Sequence, residues 1–181
     1  MLRRYYSSKV VPLTQALNIK VGQIASCQLH PQADRLYVSQ ISIGGDESDQ
    51  IQVVSGLVDF VSKSTMIDKR VVVLTNMKRA KIRGVQSDAM LLATHDENIT
   101  KVELINPPSD SKVGDRLCFG EFENSSANKA VSSKLWQEIK LGLFVNSEGI
   151  AVFRQNGVEY KLQGENSDFA RSDTLKDTHM S

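Results

Sequence analysis

Six basic residues lie between positions 69 and 88 with no acid among them: Lys69, Arg70, Lys78, Arg79, Lys81 and Arg83. The whole chain has 22 Lys and Arg against 21 Asp and Glu, a net charge of +1, so this segment is its one large local excess of positive charge. An arginine fork grips phosphate oxygens in pairs and a lysine acts as a point charge. Lys78-Arg79-x-Lys81-x-Arg83 therefore has the chemistry to hold a folded RNA backbone. Gly84 closes the run and permits a tight turn or a close backbone approach. A solvated loop with no partner has the same composition, and charge alone leaves the two readings level. No aromatic residue falls between 76 and 90, which points to shaped, largely paired RNA held by its phosphates rather than a stacked single strand. Tyr37 has the ring for a stacking platform, but half-buried packing is the commoner fate of a tyrosine in a strand.

Residues for other chemistries are scattered. Cys27 and Cys118 are far apart and belong to no Cys-x-x-Cys pair; they read as buried thiols, neither a disulfide framework nor a zinc site. His30, His95 and His179 are equally dispersed. Metalloprotease, nucleophile-elbow, phosphate-loop and dinucleotide motifs are missing. Asp46-Glu47 and Asp96-Glu97 sit in polar turns and read as solvated charges. Ser55, in Val54-Ser55-Gly56-Leu57, has no base of identifiable geometry beside it. The expectation is a protein that is not an enzyme, with no cofactor and no metal site.

The elements that must position the basic run are mostly short strands. Ile19 to Leu29 alternates, with Gly22 where a bend or bulge is useful. Leu36 to Ile43 and Gln50 to Val54 read as a hairpin, Arg70 to Asn76 as a buried strand, and Gly84 to Thr94 and Lys101 to Ile105 as two more. Val58 to Met66 is a short helix or irregular cover. Asn106-Pro107-Pro108 must be a turn or loop. Short strands with almost no helix suggest a small closed barrel over residues 18–122. Residues 123–133 read as a polar linker. Ser132 or Ser133 is placed to cap a helix through Leu135-Trp136-Gln137-Glu138-Ile139, and Gln155-Asn156-Gly157 joins two further strands, Ile150 to Phe153 and Val158 to Leu162. Nothing beyond Gly164 reads as an element. Residues 134–181 are too few for an independent core and are expected to pack on the barrel.

The first 17 residues form a leader of another kind. Met-Leu-Arg-Arg-Tyr-Tyr-Ser-Ser-Lys is basic and hydroxylated, and the first acid of the chain is Asp34. That is the composition of an organellar transit peptide and predicts the mitochondrial matrix. A basic surface tail on a cytoplasmic protein is the alternative. No apolar run approaches the ~20 residues of a bilayer crossing.

Val21-Gly22-x-Ile24, His30-Pro31-x-Ala33-Asp34-x-Leu36-Tyr37-Val38, Val54-Ser55-Gly56-Leu57, Asn76-Met77-Lys78-x-Ala80-Lys81-Ile82-Arg83-Gly84-Val85-x-Ser87-x-Ala89-Met90 and Val113-Gly114-Asp115-Arg116-Leu117 together resemble the tRNA-binding domain family. Residues 134–162 resemble, more loosely, the domain appended in the endothelial monocyte-activating polypeptide and in yeast-type synthetase cofactors. The resemblance implies a five-stranded oligonucleotide-binding barrel followed by a small α+β unit. That unit would cover the surface by which shorter relatives dimerise, giving a monomer with an internal pseudo-dimer. It implies tRNA as partner, with an aminoacyl-tRNA synthetase as a second. It also implies that Lys81 and Arg83 grip phosphate, that Ser87 and Met90 approach the RNA, and that Asn76 and Lys78 complete the same lip; Arg79 joins this tRNA-binding set by its charge. His30 to Asp34 would be a structural turn. Two positions depart from the family pattern: Arg79 stands where proline is usual, and Asp88 sets a carboxylate beside the proposed phosphate site. The alternative is a protein-interaction module on the same barrel that has lost strong RNA binding.

Overall fold

The computed structural model describes residues 11–46, 49–122, 127, 129–165 and 168–181. Of the expected leader and linker, residues 1–10, 123–126 and 128 lie outside the described residues. The rest of the leader is folded. Leu13–Ala16 is a 3-10 turn, Thr14 and Leu17 are buried, and the Leu13 N–H donates to Gln155 Oε1 at 2.9 Å.

The fold is mainly β and antiparallel. β1 (Ile19–His30), β2 (Ala33–Ser42) and β3 (Gln50–Ser55) form a meander, and a four-residue helix, α1 (Lys63–Met66), leads into β4 (Arg70–Leu74) on the other side of β1. β5 (Ala80–Ile82) and β6 (Val85–Ser87) make a separate ribbon. β7 (Met90–Leu91) pairs with β4, β8 (Ala93–His95) with β9 (Val102–Leu104), and β10 (Arg116–Phe119) with the start of β1. Regular pairing thus runs β3-β2-β1-β4-β7 and is not carried by a ladder from β7 back to β3. Three bonds span that seam: the Asp88 N–H donates to the Gln52 carbonyl at 2.9 Å, Gln52 Nε2 donates to the Gln86 carbonyl at 2.7 Å, and Ser87 Oγ accepts from the Val54 N–H at 3.0 Å. The strand expected over 84–94 is accordingly three pieces. Leu92 breaks it by donating to Val72 and accepting from Ile105, handing the chain from one sheet to another.

Gly22 sits where β1 crosses the other strands. A Cβ there would lie 2.7 Å from Ile41 Cγ2 and 2.8 Å from Val73 Cγ2, so the close approach needs glycine. A register shift between Ile24 and Ser26 then keeps both Ile24 and Cys27 facing inward.

Beyond residue 129 come α2 (Ser133–Lys140), β11 (Leu143–Val145), β12 (Ala151–Gln155), β13 (Val158–Gly164) and β14 (Thr178–Met180). Ser132 is the cap, its hydroxyl accepting from the Leu135 N–H at 3.2 Å. Asn156 (φ 52°) and Gly157 (φ 76°) make the two-residue turn between β12 and β13. β13 pairs with β10, placing Phe119 opposite Leu162. The tail beyond Gly164, expected to hold no element, instead returns as β14 between β11 and β8 and buries Met180.

Two cores result. Ile24, Ile41, Val53, Val71, Val73 and Leu91 fill the interior of the first half. Val72 and Leu74, the alternate residues of β4, face the second core with Leu92 and Phe119, against Ile139, Val145, Phe153, Leu162 and Met180. β4 is buried on both faces because the appended half covers its outer one.

Candidate nucleic-acid interface

The basic run is a hairpin rather than an irregular loop. Ala80 pairs with Ser87, Lys81 with Gln86 and Ile82 with Val85, leaving Arg83 and Gly84 as a two-residue turn. Both have positive φ, 48° and 87°, the type I′ geometry that matches strand twist. Glycine takes this conformation freely. An arginine there costs about 1–2 kcal/mol, and such strain concentrates at functional positions. Lys78 and Arg79, just before the ribbon, and Lys81 and Arg83 within it are all exposed. Lys78, Lys81 and Arg83 have no ion-pair partner among the described residues.

Arg79 does have one. Its Nε lies 3.2 Å from Asp88 Oδ1, which also accepts from Gln86 Nε2 at 2.6 Å. The two departures from the family pattern are therefore partners across the foot of the ribbon. Asp88 screens Arg79 before it reaches any phosphate bound at Lys81 and Arg83.

The ribbon is held from beneath by His30 at the tip of the β1–β2 hairpin. His30 is 4% exposed, and its Nδ1 accepts from the Gln32 N–H at 3.0 Å. The proton therefore sits on Nε2, which donates to the Ile82 carbonyl at 3.0 Å. The His30-to-Asp34 segment is thus a two-residue turn that braces the cationic tip.

The other sequence-derived candidates are placed differently. Asn76 Oδ1 accepts from the Asn18 N–H at 2.7 Å, and its Nδ2 donates to the carbonyls of Ala16 and Lys129 at 2.8 and 2.9 Å. Its amide is fully engaged in joining β4, the start of β1 and the segment before α2. Ser87 is buried and donates to the Ala89 carbonyl at 3.1 Å besides accepting from Val54. Met90 is half-buried and packs on the shared core. Lys69 and Arg70, grouped with the basic run by sequence, stand apart from it: Lys69 Nζ donates to Asn106 Oδ1 at 3.0 Å, and Arg70 donates to the Ser109 and Ser111 carbonyls. They brace the Pro107-Pro108 loop. Tyr37 is core, its hydroxyl donating to the Val61 carbonyl at 3.1 Å.

Burial pushes the Cys118 thiol up to about 11, against a weaker pull from Arg116, which leaves it unreactive near neutral pH. Among the described residues no group of three His, Cys, Asp or Glu is arranged to hold a metal ion.

An antiparallel β module presenting a braced, four-cation ribbon has the layout of a nucleic-acid-binding fold. Residues 19–116 match the family model described as "Putative tRNA binding domain", and the chain belongs to the tRNA-binding domain family. It is 40% identical over 139 residues to "Probable methionine--tRNA ligase" of Oryza sativa subsp. japonica, covering 76% of this chain and 17% of that protein. It is 35% identical over 158 residues to "Aminoacyl tRNA synthase complex-interacting multifunctional protein 1" of Cricetulus griseus, covering 87% and 43%. The chain thus spans less than half the length of either relative. The crystal structure of the C-terminal domain of Plasmodium vivax p43 superposes with a TM-score of 0.78 at 24% identity, covering 94% of this chain and 99% of that one. That likeness extends the shared fold through the appended half.

Proposed function

We propose that this chain binds tRNA without catalysing a reaction on it. It recognises tRNA by shape and phosphate charge and serves an aminoacyl-tRNA synthetase as a cofactor in the mitochondrial matrix. The observation that carries the reading is the ribbon: Lys78 just before it, Lys81 in its first strand and Arg83 at its turn are exposed, have no ion-pair partner among the described residues, and stand on a hairpin that His30 holds in place. A preorganised row of cations loses little freedom when it meets a phosphate backbone. The oligonucleotide-binding barrel is read as β1, β2, β3, β4 and β7, with the seam beside β3 lying at the foot of the ribbon. The appended half, sharing a core with the outer face of β4, supports a monomer whose second half stands in for a dimer partner. The basic leader supports mitochondrial import, and folded packing by Pro12 is consistent with processing ahead of it.

The test is a tRNA titration of the wild type and of Lys81→Ala/Arg83→Ala at several salt concentrations. Losing two phosphate contacts lowers the slope of log affinity against log salt by roughly 1.4–1.8, while circular dichroism stays unchanged. Unchanged affinity and slope would overturn the assignment and favour a protein-interaction role. Deleting Met1 to Lys9 leaves the imaged protein outside mitochondria; continued import would remove the localisation.

A further inference from the structure

Where the two halves meet, a groove of about 490 Å³ is lined by Phe60, Met90, His95, Ile99, Trp136 and Lys140, among others. Its volume is within the range of small-ligand sites. Trp136 is the chain's single tryptophan. It is half-buried, packs on the shared core from α2, and lies one helical turn before Lys140 on the same face. An aromatic surface beside a cation is the composition of a nucleotide platform. Met90 adds a polarisable, adaptable wall.

Among the described residues this groove has no carboxylate side chain in its lining, and Lys140 is its one Lys or Arg. The two nearby clefts mix charges: Asp173 stands with Glu103, Lys69 and Lys101 in one, and with Lys69, Arg70 and Arg171 in the other. What sets this groove apart is the indole of Trp136 with Lys140 one helical turn away.

The walls of the groove are tied to the segments flanking the cationic ribbon at two places. Val54, in its lining, is bonded to Ser87 at the end of β6. Met77, beside the ribbon's first cation, bridges to Val131, and Asn76 holds the Lys129 carbonyl. From there Ser132 opens α2, only about 12 Å long, so exposed Lys129 and Lys134 lie on the way to Lys140.

We propose that this groove takes an unpaired nucleotide of the bound tRNA, with its base against Trp136, Phe60 and Met90 and its phosphate at Lys140. The inference rests on the tRNA-binding reading above. The ribbon grips paired backbone, which every RNA duplex offers. The groove asks for a base free of its helix, since bases inside a duplex have their faces covered. Together they select tRNA over plain duplex RNA.

Trp136 supplies its own assay, because all tryptophan fluorescence of the full chain comes from it. Total tRNA is titrated against a blunt-ended RNA duplex, with affinity followed separately by filter binding. The expected result is that tRNA quenches the fluorescence and the duplex binds more weakly without quenching. Trp136→Leu weakens tRNA binding roughly 5- to 150-fold at unchanged salt slope, and Trp136→Phe restores part of that loss. Lys140→Ala lowers the slope by about 0.7. If Trp136→Leu fails to fold by circular dichroism, the wild-type quenching comparison decides alone. Salt-dependent tRNA binding with unchanged fluorescence, or equal quenching by duplex, overturns this site while leaving the ribbon reading intact. Absence of tRNA binding by filter assay overturns both.

Discussion

Glu103 holds the returning tail, and removing it tests how the two halves are fastened. Its Oε2 accepts from Ser172 Oγ at 2.6 Å, the Thr174 N–H at 3.0 Å and the Leu175 N–H at 3.2 Å. Its Oε1 accepts from the Thr174 hydroxyl and faces Lys101 Nζ at 3.0 Å. The side chain is 14% exposed. Burial, the largest single influence, pushes its carboxyl up, but the donors from Ser172, Thr174 and Lys101 together outweigh it and hold the group well below the usual carboxylate range. Glu103→Ala strands four donors on three residues of the tail. At about 1–3 kcal/mol per unsatisfied buried group, discounted because water reaches part of the tail, the loss is about 2–4 kcal/mol. For a chain of this size that lowers the melting temperature by about 5–15 °C. The pH dependence has a definite sign. A folded-state carboxyl below its unfolded value of about 4.3 gives stability that is complete above that pH and is lost as the pH falls toward the folded value, by about 1.4 kcal/mol per unit. Thermal unfolding of wild type and Glu103→Gln from pH 7 to pH 3 is the assay. The gap between them is expected to narrow below about pH 4.3. A gap that is constant across the range, or absent at pH 7, would refute the latch.

Asp88→Asn releases Arg79 and removes the anion beside the ribbon, so tRNA binding tightens and the salt slope steepens by up to about 0.9, with stability changed by less than about 1 kcal/mol; filter binding at three salt concentrations checks it, and weaker binding counts against it. His30→Ala leaves the Ile82 carbonyl and the Gln32 N–H without their buried partner, costing about 1–3 kcal/mol. Because it removes no ribbon cation, tRNA affinity drops at unchanged salt slope, and an unchanged affinity would deny His30 its bracing role. Gly22→Ala drives a methyl group to 2.7 Å from Ile41 and 2.8 Å from Val73, an overpacking cost of about 1–3 kcal/mol readable in chemical denaturation.

Features set by neighbours in the chain were legible in the sequence. The Asn156-Gly157 turn, the Ser132 cap and the doubly buried Val71-to-Leu74 strand each follow from a few adjacent residues. The tail was not, because nothing in Ser172 to Met180 is strand-like by itself. Its partners are Glu103, β8 and β11, some 33 to 86 positions earlier, and only their proximity gives the segment a reason to order. The ribbon was read as a loop because its strands have three residues each and its turn opens with arginine rather than the usual asparagine or aspartate. Lys69 and Arg70 joined the basic run on paper because charge counting ignores direction. The buried β4 strand separates them from the ribbon, and their side chains reach the 106–111 loop instead.

The same geometry changes how the matched residues divide their work. Asn76 and Ser87 have their polar atoms committed to the backbones of Ala16, Asn18, Lys129, Val54 and Ala89. Freeing either would strand several partners, so their part in recognition is to fix where the ribbon and seam stand. On the proposed tRNA-binding reading, contact with phosphate is left to Lys78, Lys81 and Arg83, with Arg79 half-neutralised by Asp88. Three free cations at roughly 0.7–0.9 per phosphate imply a ribbon contribution to the salt slope of about 2–3. A chain with a net charge of +1 has little long-range field to add to that. If the proposed ribbon and groove both act, discrimination among RNAs comes from where these few charges are held relative to the groove beside Trp136, and His30, Asn76 and Ser87 fix where the ribbon and seam stand.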